Sequence, residues 1–137
     1  MPFDFSHADD LALRGATAYH DGLVAESSVE IHYQSEGYTL LERRWRGQGG
    51  EIDLIFRDTK TNIWGQKGGF VFVEVKKAKT HAYAAERLSR RQLDRICRSG
   101  EDYAAQTAPG QIVDMRVDLA MVDGQGQIEI LTNISQY

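Results

Sequence analysis

The chain reads as an α/β domain, a central mixed β-sheet flanked by helices. Three observations predict it. Apolar residues recur at helical spacing before and after a group of strand-like segments. The segment Phe70 to Val75 (FVFVEV) is almost continuously apolar, as a strand covered on both faces must be. The segment order, helix, three strands, helix, strand, suits a mixed sheet better than an all-helical or all-β fold.

The elements follow in order. Ala8 to His20 is weakly helical, with Ser6 available as a cap and Asp21-Gly22 as a break. A second helix is expected from Leu23 to Glu36, ending at Gly37. At roughly 100° per residue, Gly22, Ala25, Val29 and Tyr33 share one stripe, and Glu26 falls on the same face. Tyr38 to Trp45 reads as a strand, Arg46 to Gly50 as a turn, and Glu51 to Phe56 as the returning strand of a hairpin. Asp58 to Gly69 is a polar, glycine-bearing loop, followed by the apolar strand Phe70 to Val75. A helix is expected from Ser89 to Ala105, with Ser89 and Gln92 at capping-box spacing. Its apolar stripe is Leu93, Ile96, Cys97, Gly100 and Ala104, with Arg91, Arg95 and Arg98 roughly opposite. Ile112 to Val122 is a further strand, and Gln127 to Leu131 returns after the turn at Asp123 to Gly126.

At 137 residues the chain suits a single domain, 1–137, divided into an N-terminal helical extension over about 1–20 and a core over 22–137. Hydrophobic residues at 42% and charged residues at 26% are those of an ordinary globular protein. The lone Cys97 and four scattered histidines exclude a thiolate zinc site and argue against haem or iron–sulfur chemistry. The acidic start MPFDFSHADD lacks a signal-peptide pattern, and no apolar run approaches the roughly 20 residues of a membrane span. The cytoplasm is the expected setting, with no membrane partner.

A net charge of −4 argues against a protein that coats nucleic acid. Its distribution matters more. Between Lys76 and Arg98, eight lysines and arginines stand against Glu86 and Asp94 alone, and the rest of the chain is correspondingly acidic. Arg43, Arg44 and Arg46 form a second cluster before the glycine turn. Arg44, Arg46, Lys77, Lys79, Arg91, Arg95 and Arg98 are the candidate contacts to a phosphate backbone. A solvated helix face is the structural alternative for the arginines. Gly47, Gly49 and Gly50 either admit a phosphate backbone or simply form the hairpin turn.

The chemistry is suggested by acids that break their own pattern. Glu51 and Asp53 are two apart in EIDLIF, and Glu74 and Lys76 are two apart in FVFVEVK, so each pair is expected on one side of its strand. Burying such charges costs several kcal/mol unless they are paired or coordinated. Asp53 and Glu74 suit a hard cation, Mg²⁺ or Mn²⁺, which takes one or two carboxylates and leaves room for phosphate. Lys76 would orient the attacking water or stabilise charge on the phosphorane. Glu26 would complete the metal's surroundings from its helix, although taken alone it reads first as a partly exposed helix carboxylate. A strand-end ion pair and a cross-strand bridge are the structural alternative. For Glu51, a structural role beside the turn stands equally with catalysis.

The residues Gly22 with Glu26, Gly37-Tyr38-Thr39-Leu40-Leu41, Arg44-Trp45-Arg46, Gly50-Glu51-Ile52-Asp53-Leu54-Ile55 and Phe72-Val73-Glu74-Val75-Lys76 resemble the YraN-type family. Arg116-Val117-Asp118 and Thr132-Asn133 fit more loosely. These are bacterial proteins regarded as relatives of Holliday-junction resolvases, within the PD-(D/E)XK nuclease fold. This chain has Lys77-Ala78-Lys79 where the family commonly shows a threonine and arginines.

The resemblance implies a restriction-endonuclease-like core with metal acids at Asp53 and Glu74, the lysine at Lys76 and a helix-borne acid at Glu26. It implies a metal-dependent endonuclease on DNA, including branched DNA. The rival expectations are a non-catalytic nucleic-acid-binding module of the same fold and a protein-interaction domain. A homodimer is compatible with all three.

Overall fold

The computed structural model describes residues 7–60 and 68–136, with side chains over 21–60 and 68–135. Ser6 and most of the loop between Asp58 and Gly69 lie outside the described residues. The order is α1 (His7–Ser35), β1 (Tyr38–Gly47), β2 (Gly50–Asp58), β3 (Phe70–Lys77), α2 (His81–Glu86), α3 (Arg90–Thr107), β4 (Met115–Val122), β5 (Ile128–Leu131) and a closing 3₁₀ turn at Ile134–Gln136. The sheet has five strands in the order β1-β2-β3-β4-β5. Among the described residues only β3 and β4 run parallel, joined through α2 and α3, and every other neighbour is antiparallel. The mixed sheet with flanking helices is the expected class.

Each face carries its own helix layer. Ala25, Val29 and Tyr33 of α1 are buried against Leu54, Phe56, Val71, Val73, Ala120 and Val122, which is the stripe foreseen from spacing. On the other face Leu93, Ile96 and Tyr103 of α3 and Ala84 of α2 pack against Ile52, Ile55, Phe70, Phe72 and Leu119. Val71, Phe72 and Val73 are all buried, as the apolar run demanded. Each full burial of such a side chain stabilises by about 1.5–3 kcal/mol.

Four expectations are corrected. The break at Asp21-Gly22 does not occur, because α1 continues through both residues. One glycine costs a helix only about 1 kcal/mol. A six-residue helix, α2, occupies a stretch assigned no element; Thr80 caps it by accepting a hydrogen bond from the Tyr83 amide at 3.2 Å. Strand β4 begins at Met115, and Ile112 is fully exposed before it. The buried stripe of α3 includes Ser99 and Tyr103. The Ser99 hydroxyl donates to the Gly50 carbonyl at 2.8 Å.

That bond ties the β1–β2 turn to α3. A Cβ on Gly49 would stand 2.3 Å from the Arg95 carbonyl oxygen, so the turn is seated against the helix backbone. The glycine there admits a helix, not a phosphate.

One polar network lies inside the sheet. Asp118 is fully buried and accepts from Tyr33 Oη at 2.8 Å, from Arg116 Nε at 3.0 Å and from the Asn133 amide at 2.9 Å. Arg116 also donates to Tyr38 Oη at 2.7 Å. Every oxygen of the carboxylate is used, as a buried charge requires. Burial and the Asp118 charge together hold the Tyr33 phenol in its neutral form.

Candidate functional site

Strands β2 and β3 pair from Arg57–Phe70 to Leu54–Val73 and no further. At that end Asp53 takes over from the backbone. Its Oδ2 accepts the Val75 amide at 2.8 Å, filling with a side chain the place of a ladder bond. β2 also changes face here. Leu54 and Phe56 pack in the α1 layer, whereas Ile52, two residues earlier, packs in the α3 layer. The partner strand accommodates this at Arg44, which lies between the rungs Arg43–Leu54 and Trp45–Ile52 with φ 50. A non-glycine residue held in that region stores about 1–3 kcal/mol of strain.

The broken alternation separates Glu51 from Asp53. Glu51 is exposed, 4.0 Å from Arg46, and does not line the cleft. The structural role is the one its geometry supports. Glu74 and Lys76 keep the same-side relation, with Lys76 Nζ 3.1 Å from Glu74 Oε1. Glu74 is buried at 5% exposure.

An open cleft of about 420 Å³ gathers Glu26, Asp53, Glu74 and Lys76, together with Asp21, Lys77 and Arg87. α1 supplies Glu26, whose Oε2 accepts from Arg44 Nε at 3.0 Å. Arg44, expected on a phosphate backbone, thus reaches the helix acid. Lys77 Nζ stands 4.0 Å from Asp21. Arg87 donates to the Lys77 carbonyl at 2.6 Å. Lys79, Arg91, Arg95 and Arg98 are exposed and outside the cleft lining, as is Arg46.

The acids burden one another. Burial, then the Glu74 charge, push the Asp53 carboxyl up to about 7, with Glu26 adding to the effect and the Val75 amide and Lys76 opposing it. Burial also raises Glu74, against the opposing charge of Lys76. Crowded, desolvated carboxylates that retain protons are what a hard divalent cation relieves. Among the described residues no three His, Cys, Asp or Glu side chains already form a ligand set. Asp53 and Glu74 are two carboxylates of the kind that hard cations take.

Residues 25–122 match the family model described as Uncharacterised protein family UPF0102. The chain belongs to that family. It is the YraN-type family that the GEIDLI and FVEVK segments resemble. Among its UPF0102 relatives, one from Roseobacter denitrificans is 48% identical over 87% of this chain and 86% of its own length. Another, from Cereibacter sphaeroides, is 44% identical over 88% of this chain and 97% of its own. A third, from Ruegeria pomeroyi, is 44% identical over 90% and 94%. The UPF0102 match begins one residue before Glu26 and ends with β4, so it encloses Arg44, Asp53, Glu74 and Lys76.

Sequence reasoning missed Asp21, Arg87 and Gln92. Gln92 drew attention only as a cap partner. Its backbone amide donates to Ser89 Oγ at 3.1 Å, as a cap partner's does, while its side-chain Nε2 donates to Glu74 Oε1 at 3.1 Å. No local signal identifies Asp21 or Arg87, whose place in the cleft depends on how α1 and α2 dock. Among the described residues, no helix is long and apolar enough to cross a membrane.

Proposed function

We propose that this cleft hydrolyses phosphodiester bonds in DNA with a divalent cation, Mg²⁺ or Mn²⁺. The observation that carries the reading is the opening between β2 and β3, where Asp53 and Glu74 come together beside Lys76 and below Glu26. Asp53 and Glu74 would hold the cation, with Glu26 assisting directly or through water. The bound cation supplies Lewis acidity to a phosphate oxygen and lowers the pKa of a bound water.

The protein's own groups account for the rest. Lys76 Nζ, fixed at 3.1 Å from Glu74, orients the incoming water and stabilises negative charge as the phosphorus–oxygen bond forms and the scissile one breaks. Lys77 and Arg87 at the cleft rim hold the adjoining phosphates. Exposed Arg91, Arg95 and Arg98 extend that contact along α3.

The test is a nuclease assay with Mn²⁺ and Mg²⁺ on four-way, flap, single-stranded and linear duplex DNA, beside Glu74→Ala. Cleavage that disappears in the variant supports the reading and names the substrate shape. A folded protein silent on every substrate overturns turnover and leaves a nucleic-acid-binding module of the same fold.

A further inference from the structure

We infer that Gln92 is a positioning residue that aims Glu74 at the cation; this rests on the metal-dependent reading above. Two donors converge on the same carboxylate oxygen. Gln92 Nε2 and Lys76 Nζ both lie 3.1 Å from Glu74 Oε1. Oε2 takes neither. On the neighbouring strand Asp53 is treated in the same way, with Oδ2 fixed by the Val75 amide and Oδ1 outside that bond. Each acid therefore has one oxygen anchored by a neighbouring donor, and the two carboxyl groups are hydrogen-bonded to one another across the gap.

Gln92 suits the task because its backbone is itself fixed. It sits in the first turn of α3, where the Ser89 cap holds its amide. The carboxamide is half-buried and carries no charge, so it orients Glu74 without competing with the cation. Lys76 alone would leave Glu74 free to rotate about its terminal bond. A second donor from a different element removes that freedom, which is how outer partners of metal-binding side chains act.

The experiment is calorimetric titration of the metal-free full chain with Mn²⁺, for the native protein, Gln92→Met, Gln92→Lys and Glu74→Gln, with melting in EDTA alongside. Methionine keeps the chain length and helix preference and removes the donor. Gln92→Met is expected to weaken Mn²⁺ binding roughly ten- to a hundredfold while its melting temperature in EDTA stays near the native value. Gln92→Lys, which restores a donor, is expected to fold even if the methionine variant does not, and to bind Mn²⁺ more tightly than Glu74→Gln. Native-like affinity in Gln92→Met, with binding lost in Glu74→Gln, would overturn the role of Gln92 and leave the cation site standing. No Mn²⁺ binding by the native protein would overturn the cation site itself, and this inference with it.

Discussion

Asp53 and Asp118 are both carboxylates enclosed by the sheet, and their surroundings give them opposite consequences. Asp118 has a cation, a phenol and an amide for its oxygens. Removing it in Asp118→Ala leaves Arg116 and Tyr33 facing a void, and should destabilise the protein by about 3–5 kcal/mol in urea denaturation. Asp53 sits among like charges, and its carboxyl is raised to about 7. An acid raised on folding lends most stability below its unfolded value and loses it as pH rises through the folded one. In the metal-free protein Asp53→Asn should therefore raise stability at pH 8, on the order of 1–3 kcal/mol, and have little effect at pH 4. An asparagine variant less stable than native at pH 8 in EDTA would show that the repulsion is not there.

Between residue and fold, the smallest helix provides the clearest case. His81 begins α2, with Nδ1 2.9 Å from Glu129 Oε2 and Nε2 2.9 Å from the Gln127 carbonyl. Both ring nitrogens face acceptors, so the imidazolium fits and the neutral ring does not. The Gln127 carbonyl, then the Glu129 and Asp123 carboxylates, raise its pKa. Its contribution should be complete below about 6.5, the ordinary value, and fade as pH rises through the raised one. Melting temperatures of the native protein and His81→Gln should accordingly converge between pH 6 and pH 8.5. A constant gap would refute the tether. None of this was legible in the sequence, since six residues are too few for a helical period and the partners lie beyond position 120. By contrast β3 was legible from its unbroken apolar run, and α3 from Leu93, Ile96 and Gly100 at helical spacing. The trio Asp53, Glu74 and Lys76 was legible because charges interrupt apolar strands. The pairing of Glu26 with Arg44 was not, because it depends on a left-handed residue and on strand register. Nor was the continuity of α1, where a weak local break lost to the helix around it.

For the molecule as a whole, the acidic balance and the basic helix describe one asymmetric charge distribution. Lys76 to Arg98 carries eight of the sixteen lysines and arginines, and exposed Arg91 and Arg95 lie outside the cleft. Arg91→Ala with Arg95→Ala should weaken DNA binding most at low salt and reduce the slope of log affinity against log salt by about one to two. Cleavage chemistry at saturating DNA should be unchanged. An unaltered salt slope would assign these arginines to solvent.

The gap between β2 and β3 also bears on heredity. Asp53 is a rung of the ladder as well as an acid, because the Val75 amide has its oxygen as acceptor. If the proposed reaction is right, a descendant that abandoned it would still be selected for Asp or Asn at position 53, by folding alone. The ladder makes no such demand on the side chain of Lys76. Drift at 76 with retention at 53 would therefore be the mark of a relative that kept the architecture and gave up the reaction.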